Sequence, residues 1–252
     1  MKVSIITVVY NNQATLDHAI HSVLSQDYPD IEYIIIDGGS TDKTVEIIQS
    51  YPDQISQWIS EPDQGIFDAM NKGIKLATGD IIGILNSDDF YADDQVISRV
   101  VAEFKTKQVD SVFADLVFVK PDNLNQVVRY YSSANFHPDR FAWGWMQAHP
   151  TFFVKREIYQ KYDLFKTDYQ IAADYELSIR FLAKHQISYS YIPQVLVKMR
   201  TGGVSNRTLF SNWILNQEIV RGCRENGIET NMFKVLSKYP QKIFMQLLRK
   251  PK

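Results

Sequence analysis

Cysteine is almost absent. A single Cys223 among 252 residues excludes a disulfide framework and a cysteine-built zinc centre, and it permits a reducing compartment. Long hydrophobic runs are missing as well. The apolar-rich stretch after Met1 gives way at Tyr10-Asn11-Asn12, too early for a signal peptide or a membrane span, so the expected location is the cytoplasm. Net charge is only −2, which argues against a broad nucleic-acid surface. Three signatures of α/β enzymes are lacking too. The turn after the first apolar segment is Tyr10-Asn11-Asn12-Gln13 rather than a glycine-rich dinucleotide turn, no Gly-x4-Gly-Lys-Ser/Thr phosphate loop occurs, and no Gly-x-Ser-x-Gly elbow offers a hydrolase serine. No internal repeat or low-complexity segment is evident.

What is present suits a large core: 45% of residues are hydrophobic, with 14 Tyr and 14 Phe. Residues 3–9 and 31–36 are rich in β-branched side chains with little alternation, as in strands covered on both faces. Between them Leu16, Ala19, Ile20, Val23 and Leu24 recur at helical spacing. Residues 55–60 predict a weaker strand, 66–76 a helix, 81–85 a short buried strand, 96–104 a helix and 111–119 a strand. Residues 123–150 read as irregular. A strand over 151–154, a helix over 156–162, a helix opening at Ala173 and strands over 187–192 and 195–199 follow. Alternating strand and helix predict a doubly wound, mostly parallel α/β sheet flanked by helices, with right-handed crossovers.

The candidate chemistry gathers where strands end. Asp88 and Asp89 close the 81–85 strand, and adjacent carboxylates there suit a hard divalent cation that itself holds phosphate. Asp93 and Asp94 are better placed to cap the next helix. Asp37 ends the second strand before Gly38-Gly39, where the backbone can approach a ligand, and its carboxylate can accept hydrogen bonds from a base or ribose. Asp115 reads as a solvent-facing strand position. Phe136, Phe141, Trp143 and Trp145 are equally consistent with core and with a platform for a sugar ring. Asp174 alone would pass for a helix cap. The segment from Thr230 onward carries six basic residues and no acid, and beyond Pro240 an apolar stripe of Ile243, Phe244, Leu247 and Leu248 fits either a membrane-surface helix or one packed on its own domain.

Five ordered motifs carry a resemblance. Ser4-Ile-Ile-Thr-Val-Val-Tyr-Asn11, Asp37-Gly-Gly-Ser-Thr-Asp42, Glu61-Pro-Asp-Gln-Gly65 with Ala69-Met-Asn-Lys-Gly73, Leu85-Asn-Ser-Asp-Asp89 and Ala173-Asp-Tyr-Glu-Leu177 together resemble the family-two inverting glycosyltransferases, in the bacterial branch that builds exopolysaccharide, capsule or lipopolysaccharide units. The likeness implies a glycosyltransferase A fold over residues 1–205, with a nucleotide-binding half (1–120), an acceptor and catalytic-base half (121–205) and a helical C-terminal appendage (206–252). It implies a nucleotide-sugar donor, by analogy a UDP-sugar, an Mn²⁺ or Mg²⁺ ion, and a saccharide acceptor, lipid-linked if residues 238–252 dock peripherally on the inner face of the cell membrane. By the same likeness Thr7, Tyr10, Asn11 and Asp37 line the nucleotide pocket, Asp63 and Gly65 with Asn71 and Lys72 face nucleotide and sugar, Asp88 binds the metal with Asp89 beside it, and Asp174 is the catalytic base. Two positions depart from the family pattern: Asn86, where an aspartate is frequent, and Ala173, where a glutamate is frequent, which makes Glu176 the other carboxylate to test as base. His149 is a candidate for metal or diphosphate contact, against an ordinary structural histidine, and Arg200 for clamping the diphosphate, against a solvated loop arginine. The rival readings are a non-catalytic sugar-nucleotide-binding subunit and a nucleotidyltransferase, whose basic glycine-rich first loop is missing.

Overall fold

In the computed structural model, residues 1–202 and 209–240 are described. The apolar stripe beyond Pro240 and most of the loop after Arg200 lie outside the described residues. β1 (Val3–Val9) is buried from end to end, which its unbroken β-branched run dictates. It pairs in parallel with β2 (Ile31–Asp37) on one side and β4 (Ile81–Ile84) on the other, and β3 (Gln57–Ser60) lies parallel outside β2. The crossovers are α1 (Leu16–Leu24), α2 (Thr44–Gln49) and α3 (Ile66–Leu76).

The second half adds β5 (Asp89–Tyr91), α4 (Val96–Lys107), β6 (Ser111–Lys120), β7 (Asn123–Tyr131), β8 (Phe153–Lys155), α5 (Arg156–Tyr162), α6 (Ala173–Ile179), β9 (Tyr189–Arg200), α7 (Leu209–Glu225) and α8 (Met232–Leu236). The sheet runs β3-β2-β1-β4-β8-β6-β9-β5, with β7 paired to β6 off that path. β8 is antiparallel to both β4 and β6, and β6 is parallel to β9. Six strands therefore share one direction and the sheet is mostly parallel, as expected. Two apolar layers flank it. Ile6, Val8, Ile34 and Ile36 face α3 and the later helices, while Val3, Ile5, Ile35 and Tyr33 face α1 and α4.

Three expectations need correction, and one reading left open resolves. Residues 123–150 hold a nine-residue strand, β7, rather than irregular chain alone; most of its side chains are exposed, so no apolar face announces it. The runs 187–192 and 195–199 are one strand, bulged where Ala114 faces Ile192 and Asp115 faces Val195, because Pro193 has no N–H for the ladder. Asp115 is buried and accepts hydrogen bonds from the hydroxyls of Tyr130 and Tyr191 and from Ser133 N. Phe136 and Phe141 resolve as core, edge-on to each other and to Phe113 and Tyr175, whereas Trp143 is exposed. No helix among the described residues is long and apolar enough to cross a membrane.

One ionic node ties the first strands together. The Glu32 carboxylate, 4% exposed, accepts from Lys2 Nζ at 2.8 Å, Ser4 Oγ at 2.5 Å, and Thr78 N and Oγ1 at 2.7 and 2.6 Å, linking β1, β2 and the approach to β4. Burial pushes its pKa up, but the bonds from Lys2, Ser4 and Thr78 overcome that and hold it at about 2 against an ordinary 4.5. A depressed carboxylate stabilises the fold above its unfolded pKa and loses that contribution as pH falls from about 4.5 to about 2. The expected size is about 3 kcal/mol. Calorimetric melting from pH 6 to pH 2 should show wild type losing stability over that window and Glu32→Gln, already weaker at pH 6, losing visibly less.

Candidate functional site

Strand order reverses between β1 and β4, which opens a crevice beyond their carboxyl ends. The two walls are stitched across it: Asn12 Nδ2 donates to Ser87 Oγ at 2.9 Å and Thr15 Oγ1 to Ser87 O at 2.8 Å. On the β1 and β2 side, Asn11 takes a left-handed φ of 47°. Its Oδ1 accepts from Thr41 N at 2.8 Å while its own N–H donates to Ser40 Oγ at 2.7 Å, so it joins the loops after the two strands. Tyr10 stands beside it, 63% exposed. Gly38 forms the floor. A methyl group there would fall 2.4 Å from Asp63 Oδ2 and 3.4 Å from the Tyr10 ring, so the absent side chain lets Tyr10, Asp63 and the β2 backbone come together. Asp63 Oδ1 in turn accepts Gly65 N at 2.9 Å, and Gly65, at φ 116°, opens α3 with a backbone only glycine adopts freely.

Several predicted ligand residues are committed elsewhere. Asp37 is fully buried, and its carboxylate accepts from Ser40 N, Ser40 Oγ, Gly39 N and Ser60 Oγ, which shapes the loop. Thr7 is buried and accepts the Tyr33 hydroxyl at 3.1 Å, beneath the crevice rather than in it. The Asn71 amide clamps the backbone of Phe165 through both N and O, at 2.9 and 2.8 Å. Lys72 Nζ is held by Glu61 at 2.9 Å and Pro62 O at 3.0 Å, so it braces the loop around Asp63.

At the end of β4, Asp88 is half-buried and Asp89 fully buried. Asp89 does not end a strand but begins one: it is the first residue of β5, paired with β9 at Met199. Its side chain is enclosed by the protein. Burial drives the Asp89 carboxyl well above the ordinary carboxylate range, and the charge of Asp88 adds to the rise; Asn86 and Arg200 oppose it. Two buried oxygens here, Asn86 Oδ1 and Asp89 Oδ1, have no hydrogen-bond partner, an expensive condition that a bound cation or water would relieve. Arg200 arrives from the end of β9, donating from Nη1 to Asp88 O at 2.5 Å and lying 4.9 Å over the Phe90 ring. Sequence reading missed that packing and found only the charge.

Asp174 stands in the first turn of α6, 22% exposed, with Oδ2 3.2 Å from His149 Nδ1. His149 begins a 3-10 turn, His149–Thr151, that leads into β8. Because Ile82 of β4 faces Val154 of β8 in antiparallel register, that turn lies beyond the carboxyl end of β4, on the rim that carries Asp88. His149 is thus paired with Asp174. Among the described residues no three histidine, cysteine or acidic side chains gather as a metal-binding group, and the acidic partner beside His149 is Asp174. Glu176, the other carboxylate weighed as base, is fully buried, with Arg180 Nη2 at 2.9 Å and Asn226 Nδ2 at 3.1 Å, and cannot reach an acceptor.

One residue escaped sequence reading. Glu218 of α7 accepts three consecutive backbone N–H groups, Gln170, Ile171 and Ala172, at 2.7, 2.9 and 2.8 Å, and so fixes the chain entering α6. The available signal was an acid embedded in the apolar spacing of Leu215, Ile219 and Val220. Those helices belong to the core, since Ile219, Val220, Cys223 and Val235 pack with Phe141 and Tyr175.

The chain is similar to known proteins in sequence and in fold. Residues 4–163 match the model of the family described as Glycosyl transferase family 2. A PGL/p-HBAD biosynthesis glycosyltransferase of Mycobacterium bovis is 27% identical over 208 residues, 81% of this chain and 78% of its own length. An uncharacterized glycosyltransferase of Mycobacterium tuberculosis is 32% identical over 180 residues, 71% of this chain and 68% of its own. Among solved structures, S. aureus TarS in complex with UDP-GlcNAc superposes with a TM-score of 0.71 at 17% identity, covering 97% of this chain and 73% of that one. The mannosyltransferase PcManGT from Pyrobaculum calidifontis, in complex with GDP-Man and Mn²⁺, gives 0.64 at 21% identity, over 94% and 68%.

Proposed function

This chain belongs to glycosyl transferase family 2, and from that premise we propose that it transfers a sugar, with inversion, from a uridine diphosphate sugar to a saccharide acceptor in bacterial surface polysaccharide synthesis, with Asp174 as base and a divalent cation at Asp88. The observation that carries this reading is the placement of two partly open carboxylates, Asp88 after β4 and Asp174 on α6, on one rim of the sheet, with Arg200 at the first and His149 at the second.

The residues around Asp88 fit a hard cation. Asp88 offers one accessible carboxylate, the unpartnered Asn86 Oδ1 is an uncharged oxygen donor, and Asp89 Oδ1 lacks a partner beside them. One or two protein oxygens are what a magnesium-like ion needs when substrate phosphates and water complete its shell. When bound, such a cation neutralises charge developing on the departing diphosphate. The chain's own groups do the rest. The exposed Tyr10 ring and the Gly38 floor accept the flat base, Asp63 faces the nucleotide and sugar, and Arg200 stands ready to pair with phosphate oxygens. On the acceptor side, Asp174 withdraws the hydroxyl proton as the oxygen attacks the anomeric carbon and the bond to the diphosphate breaks. A single displacement inverts that carbon and uses no protein nucleophile, in keeping with the missing serine elbow.

The six basic residues from Lys234 to Lys252 support a lipid-linked acceptor at an anionic membrane surface. The donor is tested by incubating the protein with UDP-GlcNAc, UDP-glucose or GDP-Man, with Mn²⁺ or with EDTA. Release of UDP in the presence of Mn²⁺, reduced at least about tenfold by EDTA and exceeding GDP release, is expected. Equal release from all three donors, or indifference to EDTA, would overturn the uridine or the cation assignment.

A further inference from the structure

The His149 to Asp174 contact joins a turn and a helix start that are each held by further hydrogen bonds. On one side, the turn carrying His149 is anchored to the sheet and to α6. Thr151 Oγ1 accepts Ala114 N at 2.9 Å and also contacts Ala148 O at 2.7 Å, Ala148 N donates to Ser133 Oγ at 3.0 Å, and the buried Gln147 donates to Ser178 Oγ at 2.8 Å. On the other, Asp174 Oδ1 accepts Tyr175 N at 2.8 Å at a helix start that Glu218 holds. Each carboxylate oxygen therefore has one donor, Tyr175 N on Oδ1 and His149 Nδ1 on Oδ2, and the carboxylate is only 22% exposed.

We propose that His149 is the positioning residue of the catalytic carboxylate: with its proton on Nδ1, it fixes the rotation of Asp174 so that the remaining lone pairs face the acceptor hydroxyl. This rests on the reading of Asp174 as the base. Asp174 has a short side chain with two rotatable bonds, and the backbone N–H of its own neighbour restrains only one oxygen. The imidazole supplies the second restraint from a different element, and two restraints fix the plane. A carboxylate turned away by about 1 Å costs on the order of 100-fold in rate. The pairing explains why a histidine with a 40% exposed side chain sits on a turn braced by so many buried hydrogen bonds.

The test measures hydrolysis of UDP-GlcNAc and of GDP-Man with Mn²⁺, water standing in for the acceptor, and transfer to a saccharide where one is found. For the donor that wild type turns over faster, His149→Ala should lower kcat by about 10- to 100-fold with KM changed less than about twofold. His149→Asn, whose amide nitrogen falls near the Nδ1 position, should recover to within about threefold of wild type. The pair should be non-additive: His149→Ala in an Asp174→Asn background should slow the reaction no further. Wild-type kcat in His149→Ala, with Asp174→Asn inactive, would overturn the positioning role and leave the base assignment standing. Wild-type kcat in Asp174→Asn would overturn the base assignment itself. A raised KM at unchanged kcat in His149→Ala would make His149 a donor contact instead. Should His149→Ala fail to fold, His149→Gln replaces it, since its amide falls nearer Nε2; a slow Gln variant beside an active Asn variant supports the role, and equal activity of the two overturns it.

Discussion

Asp174→Asn is expected to lower the transfer rate by about 10²- to 10⁴-fold and to leave the dissociation constant of the donor within about threefold of wild type. Asparagine matches aspartate in shape, so the hydrogen bond from Tyr175 N survives, and the place beside His149 is kept with the imidazole proton moved to Nε2; what disappears is the capacity to take a proton. Asp174 lies on α6, whereas the loops that line the nucleotide crevice come from β1, β2 and β4. Base and donor site are on different elements, and the substitution should separate binding from turnover. Isothermal titration with the donor and stopped-time transfer assays on the same preparation check both halves. Loss of donor affinity in step with rate would show that Asp174 contacts the donor instead.

Asp88→Asn should do the reverse. Removing the one accessible carboxylate after β4 is expected to weaken Mn²⁺-dependent donor binding by about 10-fold or more and to cut turnover accordingly. The accompanying stability change distinguishes this from damage to the fold. In the wild-type chain the charge of Asp88 adds to the burial that holds the Asp89 carboxyl well above the ordinary range, so removing that charge relieves a repulsion that offsets the attraction it gives up with Arg200. The backbone carbonyl of Asp88, which Arg200 uses, is untouched. The melting temperature should stay level or rise slightly while activity falls. A normal Mn²⁺ response in this variant would refute the cation assignment.

The parallel half of the fold is plain in the sequence because its strands are buried on both faces, so their apolar runs are continuous and the helices between them are amphipathic. The pattern weakens wherever burial is one-sided or the element is short. β7 pairs with β6 alone and carries Asn125, Gln126 and Arg129 among its apolar residues, and β5 has three residues, the first of them the tail of a motif. For the site, residue types were legible while their commitments were not. Asp37 looked available because its partner Ser60 comes from a strand 23 residues away. Asn71 looked available until Phe165, 94 residues on, occupied both ends of its amide. The His149 and Asp174 pair spans two elements with no local signal linking them, and Glu218 acts on a loop some 46 residues before it.

That last separation has a consequence for how the protein is made. A carboxylate that gathers three backbone N–H groups from residues 170–172 leaves those groups unsatisfied until α7 has been synthesised and docked. A nascent chain released from the ribosome tunnel only as far as β9 holds every loop of the nucleotide crevice, yet the start of α6 is still unfastened. Competence for transfer therefore waits for α7 to dock, and a shortened chain ending before Glu218 should bind sugar nucleotide better than it uses it.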